Sequence, residues 1–187
     1  TTSEATYLKV IRGKTAALFA AATEVGGVIA EAPQVQIDAL SAYGDALGII
    51  FQIVDDLLDF QGDPEQTGKN IGDDFRERKL PLPLIKAVSA ANEEELAFWH
   101  RTIRKGHQRN GDLDHAIKLM TSHEVFAAAQ SDARAYGDAA RSALRHLPDH
   151  PLRQNLSNLV DYIFELSTDF ACVLFGCCVC YIGFARC

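Results

Sequence analysis

FQIVDDLLDFQGDPEQTGKNIGDDFRERKLPLP, residues 51–83, decides the fold because it contains the end of a strongly apolar helix. Apolar residues of the segment over about residues 35–60 cover much of a helix circumference, which is typical of a central, buried helix. A glycine-containing loop over about residues 61–80 follows, and loops of that length in compact domains are usually either functional or disordered. The mixed charges and the strongly apolar flanking helices favour a functional loop. Its charged residues include Asp55, Asp56 and Asp59 at the helix end, and Lys69, Asp73, Asp74, Arg76, Arg78 and Lys79 in the loop.

Helical periodicity dominates the rest of the chain, and no convincing strand pattern occurs. Ser3 is expected to cap the first helix, and Asn92 with Glu95 forms a pattern typical of a capping box. The sequence therefore predicts an all-α fold, a helical bundle. Its predicted helices cover about residues 4–30, 35–60, 80–91, 92–106, 112–121, 123–147 and 151–167.

Composition narrows the function classes. The 187 residues carry a net charge of −7 without a basic stripe, which argues against a nucleic-acid partner. No signal peptide and no run of about 18 apolar residues occurs, so we expect a cytoplasmic protein without an integral membrane span.

The cysteines divide the chain into two parts. All five lie at its end, which argues against a disulfide scaffold, and their spacing does not fit a zinc site. We expect residues 1–168 to form the domain and residues 169–187 to be an atypical Cys-rich tail; a membrane or palmitoylation anchor is the alternative interpretation of this tail. The cysteines are Cys172, Cys177, Cys178, Cys180 and Cys187.

The central helix carries a polar stripe along one face. Its small residues suggest a groove that leads to the carboxylates. The aspartates lie in the last turns, where the helix dipole disfavours negative charge by a few tenths to about 1 kcal/mol each. In order, the stripe consists of Gly44, Gly48, Gln52, Asp55, Asp56 and Asp59.

Partly buried carboxylates at this end of a helix need a cation, and the sequence leaves two candidates open. One is internal ion pairing to Lys69, Arg76, Arg78 or Lys79. The other is Mg²⁺, which prefers oxygen ligands and takes one or two protein carboxylates together with substrate phosphates. Bound phosphate would also explain the lysines, because their ammonium groups would neutralise its charge.

The stretch RGKTAALFA, residues 12–20, adds a weaker signal. Gly13 and Thr15 weaken a helix interior, and the Thr15 hydroxyl can bend the helix by bonding to a carbonyl one turn back. A locally opened helix would present a carbonyl, a hydroxyl and the Lys14 ammonium at one place.

Three pieces of the sequence together resemble the trans-isoprenyl (polyprenyl) diphosphate synthase family. They are GKTAALF, FQIVDDLLDFQGD and TGKNIGDDFRERKLPLP, in the family's order and spacing. The middle piece resembles the family's second aspartate-rich motif, DDxxD, and GKNIGDD is most similar to bacterial octaprenyl or decaprenyl synthases. The resemblance covers about residues 4–167, which correspond to the C-terminal half of the family's domain.

The resemblance implies an all-α isoprenoid synthase fold and a Mg²⁺-dependent prenyltransferase that joins isopentenyl diphosphate to an allylic prenyl diphosphate. It also implies a homodimer, and a product that serves as a quinone side chain. Asp55 would be a direct Mg²⁺ ligand, Asp56 and Asp59 its supporting carboxylates, and Asp74 the holder of a metal-bound water. Lys14, Lys69 and Lys79 would bind the allylic diphosphate, while Thr15, the Lys14 carbonyl and Gln52 would face the developing carbocation.

The sequence departs from the family pattern in three respects. The first aspartate-rich motif is absent from these 187 residues, so we expect little activity from the chain alone. Arg78 stands where glycine is common, and Pro81 where threonine is common. A non-catalytic partner subunit, or an inactive fragment acting as a helical interaction module, remains the alternative function.

Overall fold

The computed structural model describes residues 2–62 and 70–174, with side chains described as far as residue 165, and all regular elements in these residues are helical. This confirms the predicted all-α fold. Two π-helical turns, Arg12–Ala16 and His100–Arg104, follow α1 and α6. The α-helices are α1 (Glu4–Ile11), α2 (Ala17–Ile29), α3 (Gln34–Gln61), α4 (Asp73–Arg76), α5 (Leu82–Ala90), α6 (Glu93–Trp99), α7 (Asp112–Ser122), α8 (Val125–Leu144) and α9 (Pro151–Leu174).

The helix starts follow local sequence signals. The Ser3 hydroxyl oxygen accepts a hydrogen bond from the backbone N–H of Thr6 at 3.2 Å. At α6 the Asn92 side chain accepts from the N–H of Glu95 at 3.0 Å, and the Glu95 carboxylate accepts from the N–H of Asn92 at 2.9 Å. Both predicted caps are therefore confirmed, because capping depends on residues only a few positions apart.

The long helix α3 is the centre of the bundle, as its sequence predicts. It packs most extensively against α2 and α8, and it also contacts α9, α5 and α1. Side chains such as Ile49, Ile50 and Ile53 are fully buried, and burying each of them stabilises the fold by about 1.5–3 kcal/mol.

By length and composition alone, α3 could also cross a membrane, and it is the one such helix in the described part of the chain. Its apolar character is an average over 18 residues that include polar positions, so α3 contains no uninterrupted apolar run of that length. Of those 18 residues, 56% are buried inside the protein, as expected of a helix in the core.

Glycines allow α3 to approach the preceding helical segment very closely. A Cβ atom added to Gly44 would lie 2.5 Å from the Phe19 carbonyl oxygen and 2.7 Å from the Ala20 Cα. At Gly48 it would lie 2.5 Å from the Ala16 Cα. The prediction of a groove along these glycines is therefore wrong, because the backbone of the neighbouring helical segment fills the space.

Several element boundaries differ from the prediction, and the main differences are these. The segment predicted as one helix over residues 4–30 is interrupted by the π-helical turn Arg12–Ala16, and the predicted loop contains the short helix α4. The last helix, α9, runs to Leu174, past the boundary expected at residue 168. The remainder of the Cys-rich tail lies outside the described residues.

Candidate active site

A cleft of about 320 Å³ opens where α1, its following π-helical turn, the end of α3 and the segment before α5 meet. Val10, Ile11 and Leu80 contribute apolar surface to it. Most of the predicted site residues also line it, although they come from separate parts of the sequence. They are Lys14, Gln52, Asp55, Asp56, Asp74 and Lys79.

The predicted residues Thr15 and Asp59 do not line this cleft, but each is hydrogen-bonded to a residue that does. The Thr15 hydroxyl donates to the Gln52 Oε1 atom at 3.0 Å and therefore points towards α3. The sequence had suggested a hydrogen bond to a carbonyl one turn back in the same helix. Asp59 accepts hydrogen bonds from the backbone N–H of Asp74, at 3.2 and 3.3 Å. Lys69, the remaining predicted site residue, lies outside the described residues.

Asp56 is the most enclosed carboxylate of the site, with 4% of its surface exposed. Its Oδ2 atom accepts from the Tyr7 hydroxyl at 2.7 Å and from the Leu82 backbone N–H at 2.9 Å. Its Oδ1 atom accepts from the Gln52 side-chain amide at 3.0 Å. Burial raises the pKa of Asp56, and these hydrogen bonds lower it in part by stabilising the charged form.

Asp59 is half-buried and lies next to Asp74. Burial, followed by the charge of Asp74, raises its pKa to about 6 from the ordinary value of 3.8. The hydrogen bond from the Asp74 N–H opposes this shift without cancelling it. The site therefore concentrates negative charge that a cation would relieve.

The loop cations form ion pairs mostly with loop carboxylates. The Lys79 Nζ atom lies 2.9 Å from Asp74 and 2.8 Å from Glu77, and Arg76 lies 2.7 Å from Asp73. Hydrogen bonds from Lys79 to Glu77 and Asp74 raise the pKa of Lys79, so its ammonium stays charged. Arg76 and Lys79 therefore pair with carboxylates of their own loop. Among the helix-end carboxylates, for which the sequence left ion pairing open, Asp56 is held by uncharged donors.

Two groups in this site, the Tyr7 phenol and the Leu82 backbone N–H, are missing from the residues predicted by sequence. Tyr7 precedes Lys14 by seven positions, so both lie on nearly the same helix face, and this spacing was a usable signal. Its contact with Asp56 spans 49 residues and depends on how α1 packs on α3.

The carboxylates form an open arrangement. Among the residues whose side chains the structure describes, 2–62 and 70–165, no three His, Cys, Asp or Glu side chains are grouped closely enough to form a metal site by themselves. Mg²⁺ is usually held by one or two protein carboxylates with water and phosphate oxygens. The all-oxygen donor set of Asp55 and Asp74, both in the cleft wall, fits that kind of ion.

Comparisons with known proteins show which family the chain belongs to. Residues 1–120 match the polyprenyl synthetase family, and the chain belongs to that family. It is 37% identical over 158 residues to octaprenyl diphosphate synthase of Haemophilus influenzae, a match that covers 84% of this chain and 48% of that protein.

Solved structures show the same relationship. A decaprenyl diphosphate synthase from Rhodobacter capsulatus has 61% identity and a TM-score of 0.83, with 88% of this chain and 51% of that chain covered. A polyprenyl synthase from Caulobacter crescentus, complexed with calcium and isoprenyl diphosphate, has 40% identity and a TM-score of 0.83, with coverages of 89% and 50%. The chain thus spans about half the length of these relatives.

Proposed function

We propose that this chain supplies one wall of the active site of a long-chain polyprenyl diphosphate synthase. That enzyme would extend an allylic prenyl diphosphate with isopentenyl diphosphate. The observation that carries the proposal is the cleft itself, in which Asp55 and Asp74 lie together with Lys14 and Lys79. Carboxylates for a metal and ammonium groups for phosphate are what a diphosphate leaving group requires.

We further propose that Mg²⁺ is the resident ion, held by Asp55, with Asp59 and Asp74 supporting it. When bound, the ion supplies positive charge that stabilises the departing diphosphate. The raised pKa of Asp59 supports this assignment, because a carboxylate that resists ionisation by itself gains from a nearby cation. The Caulobacter relative, solved with calcium and isoprenyl diphosphate, supports a divalent ion and this ligand class.

Lys14 and Lys79 would bind the diphosphate oxygens, and by resemblance Lys69 would join them. Lys79 is 56% exposed in its side chain and paired with Asp74 and Glu77, so it can exchange a carboxylate for a phosphate at small cost. Release of the diphosphate leaves a carbocation, and fixed dipoles in a dry site stabilise such a charge. The Thr15 and Gln52 side chains are hydrogen-bonded to each other, and this fixes the direction of both dipoles.

The proposal extends to the product and the setting. Octaprenyl and decaprenyl synthases among the relatives favour a long-chain product, of the kind used as a quinone side chain. A cytoplasmic homodimer of the complete enzyme, without an integral membrane span, remains part of the proposal.

The test is Asp55→Ala in the complete synthase that contains this segment. Elongation measured with an allylic diphosphate and isopentenyl diphosphate should fall roughly 100-fold or more, because a metal ligand is lost. Asp38→Ala is the matched control, since Asp38 lies near the other end of α3 and accepts a hydrogen bond from Gln34. Turnover of Asp55→Ala equal to that of the control would exclude the metal-ligand role.

A further inference from the structure

We propose that Tyr7 is a positioning residue of this site: its hydroxyl holds Asp56, and Asp56 in turn fixes Gln52 and the backbone of Leu82 beside the cleft. The inference deepens the proposed function and rests on it. It assigns different tasks to the two adjacent aspartates. Asp55 would face the ion, whereas Asp56 would hold the surrounding segments in place.

The hydrogen-bond geometry around Asp56 supports this division. Three donors from three places in the chain converge on one carboxylate: the Tyr7 hydroxyl at 2.7 Å, the Leu82 N–H at 2.9 Å and the Gln52 amide at 3.0 Å. A carboxylate whose two oxygens are already occupied in this way gains little from leaving its partners for a metal ion.

The segments tied together are those that carry the predicted ligands. Tyr7 belongs to α1, which leads directly into the π-helical turn with Lys14. Leu82 begins α5 and follows Lys79 by three positions, while Asp56 directly follows Asp55. The distances between ammonium groups and carboxylates across the cleft therefore depend on the Asp56 contacts.

Tyr7 is suited to this task. It is 6% exposed, and burial, followed by the charge of Asp56, raises the pKa of its phenol, so it remains a proton donor at neutral pH. Removing the hydroxyl alone leaves a buried carboxylate with one fewer donor. A hydrogen bond to a charged group contributes more than one between neutral groups.

The experiment compares Tyr7→Phe with Tyr43→Phe in the 187-residue chain. Tyr43 is a matched control, because it is also buried and its hydroxyl donates to the Leu156 carbonyl at 2.9 Å, a contact made outside the cleft. Two quantities are measured: hydrogen–deuterium exchange of the Leu82 amide, and calorimetric binding of inorganic pyrophosphate in the presence of Mg²⁺.

For Tyr7→Phe we expect the Leu82 amide to exchange roughly tenfold faster and pyrophosphate to bind roughly tenfold more weakly, as loss of one charge-assisted hydrogen bond would cause. The amides of Ile49 and Ile50, in the centre of α3, report global unfolding. They should change no more than in Tyr43→Phe. A merely structural role would instead accelerate exchange at all three amides together.

Equal Leu82 exchange in the two variants would overturn the proposal, as would equal pyrophosphate affinity. If the unsubstituted chain does not bind pyrophosphate with Mg²⁺, the proposed function fails, and the Leu82 exchange still decides whether Tyr7 positions this segment. Should Tyr7→Phe fail to fold, Asp56→Asn, which keeps the side-chain shape, is measured by the same two readouts and judged by the same outcomes.

Discussion

Asp59 makes the stability of the metal-free chain depend on pH. Its pKa is about 6 in the folded state, above the ordinary 3.8, so the folded protein binds a proton more readily than the unfolded chain does. Stability from this group is therefore gained as the pH falls from 6 towards 4, and lost as the pH rises through 6. We expect unfolding in urea to require more denaturant at pH 5 than at pH 7.

Asp59→Asn should reduce this dependence and raise the free energy of unfolding at pH 7 by about 1 kcal/mol, a value discounted because the side chain is only half-buried. A residual dependence should remain, because burial also raises the pKa of Asp56. Asp38→Asn, on the same helix, serves as the control. An Asp59→Asn chain whose stability changes with pH as steeply as the control would contradict the assignment.

Arg78 occupies a backbone conformation that favours glycine. Its φ angle is 58°, in the left-handed region, and residues with a Cβ atom lose about 1 kcal/mol there. Arg78→Gly should therefore raise the free energy of unfolding by roughly 0.5–1 kcal/mol in thermal or urea unfolding. The neighbouring Glu77, at a φ of −80°, is the control, and Glu77→Gly should give no gain.

A loss of stability in Arg78→Gly would instead mean that side-chain packing outweighs the backbone strain. The Arg78 side chain lies close to Gly106, where an added Cβ atom would be 2.8 Å from the guanidinium Nη1 atom. Gly106 itself has a φ of 70°, so these two left-handed residues pack against each other.

At the scale of residues, the sequence predicts what depends on neighbours a few positions away. The caps at Ser3 and Asn92 and the polar stripe from Gln52 to the aspartates follow from spacing alone. The Tyr7–Asp56 bond does not, because periodicity describes one helix at a time, whereas this bond depends on the packing of two.

The crossing of α2 and α3 is sensitive to the size of single residues. Gly44→Ala should lower the free energy of unfolding by about 1–3 kcal/mol, since the new methyl group meets the backbone at Phe19 and Ala20. Gly26→Ala in α2 is the control. Nothing lies within 4 Å of its added Cβ atom, so the better helix propensity of alanine should raise stability by roughly 0.5–1 kcal/mol. Similar effects of both substitutions in urea unfolding would contradict this close packing.

At the scale of elements, the sequence predicts the helices better than their contacts. The glycines at 44 and 48 on one stripe suggested a groove, because small residues make room. The space beside a glycine can be filled by a ligand or by the backbone of another helix, and the residue pattern of one helix does not distinguish these two cases. The hydroxyl of Thr23, which donates to the Leu40 carbonyl at 2.6 Å, adds to the packing that fills this space.

At the scale of the molecule, α2 exposes an apolar face. Leu18 is 74% exposed and Ile29 is 78% exposed, and Val25 lies between them in sequence. Such a face favours association with another apolar surface. We expect the isolated chain to self-associate with rising concentration, and Leu18→Lys with Ile29→Lys to reduce this association in sedimentation or light-scattering measurements.

Leu152→Lys is the comparison for that experiment, because Leu152 is also well exposed but belongs to a different helix, α9. It should change association little. Equal effects of the α9 substitution and the α2 pair would show that added charge alone, and not the α2 face, controls association.

The pairing of α2 with α3 also bears on the order of folding. The two helices are joined by only a short turn between Ile29 and Gln34, whereas α3 meets α8 only after Val125 has been made. Contacts between near neighbours in sequence close small loops, which costs little chain entropy and takes little time. The α2–α3 hairpin can therefore assemble while the rest of the bundle is still emerging from the ribosome, as a nucleus on which α8 later packs.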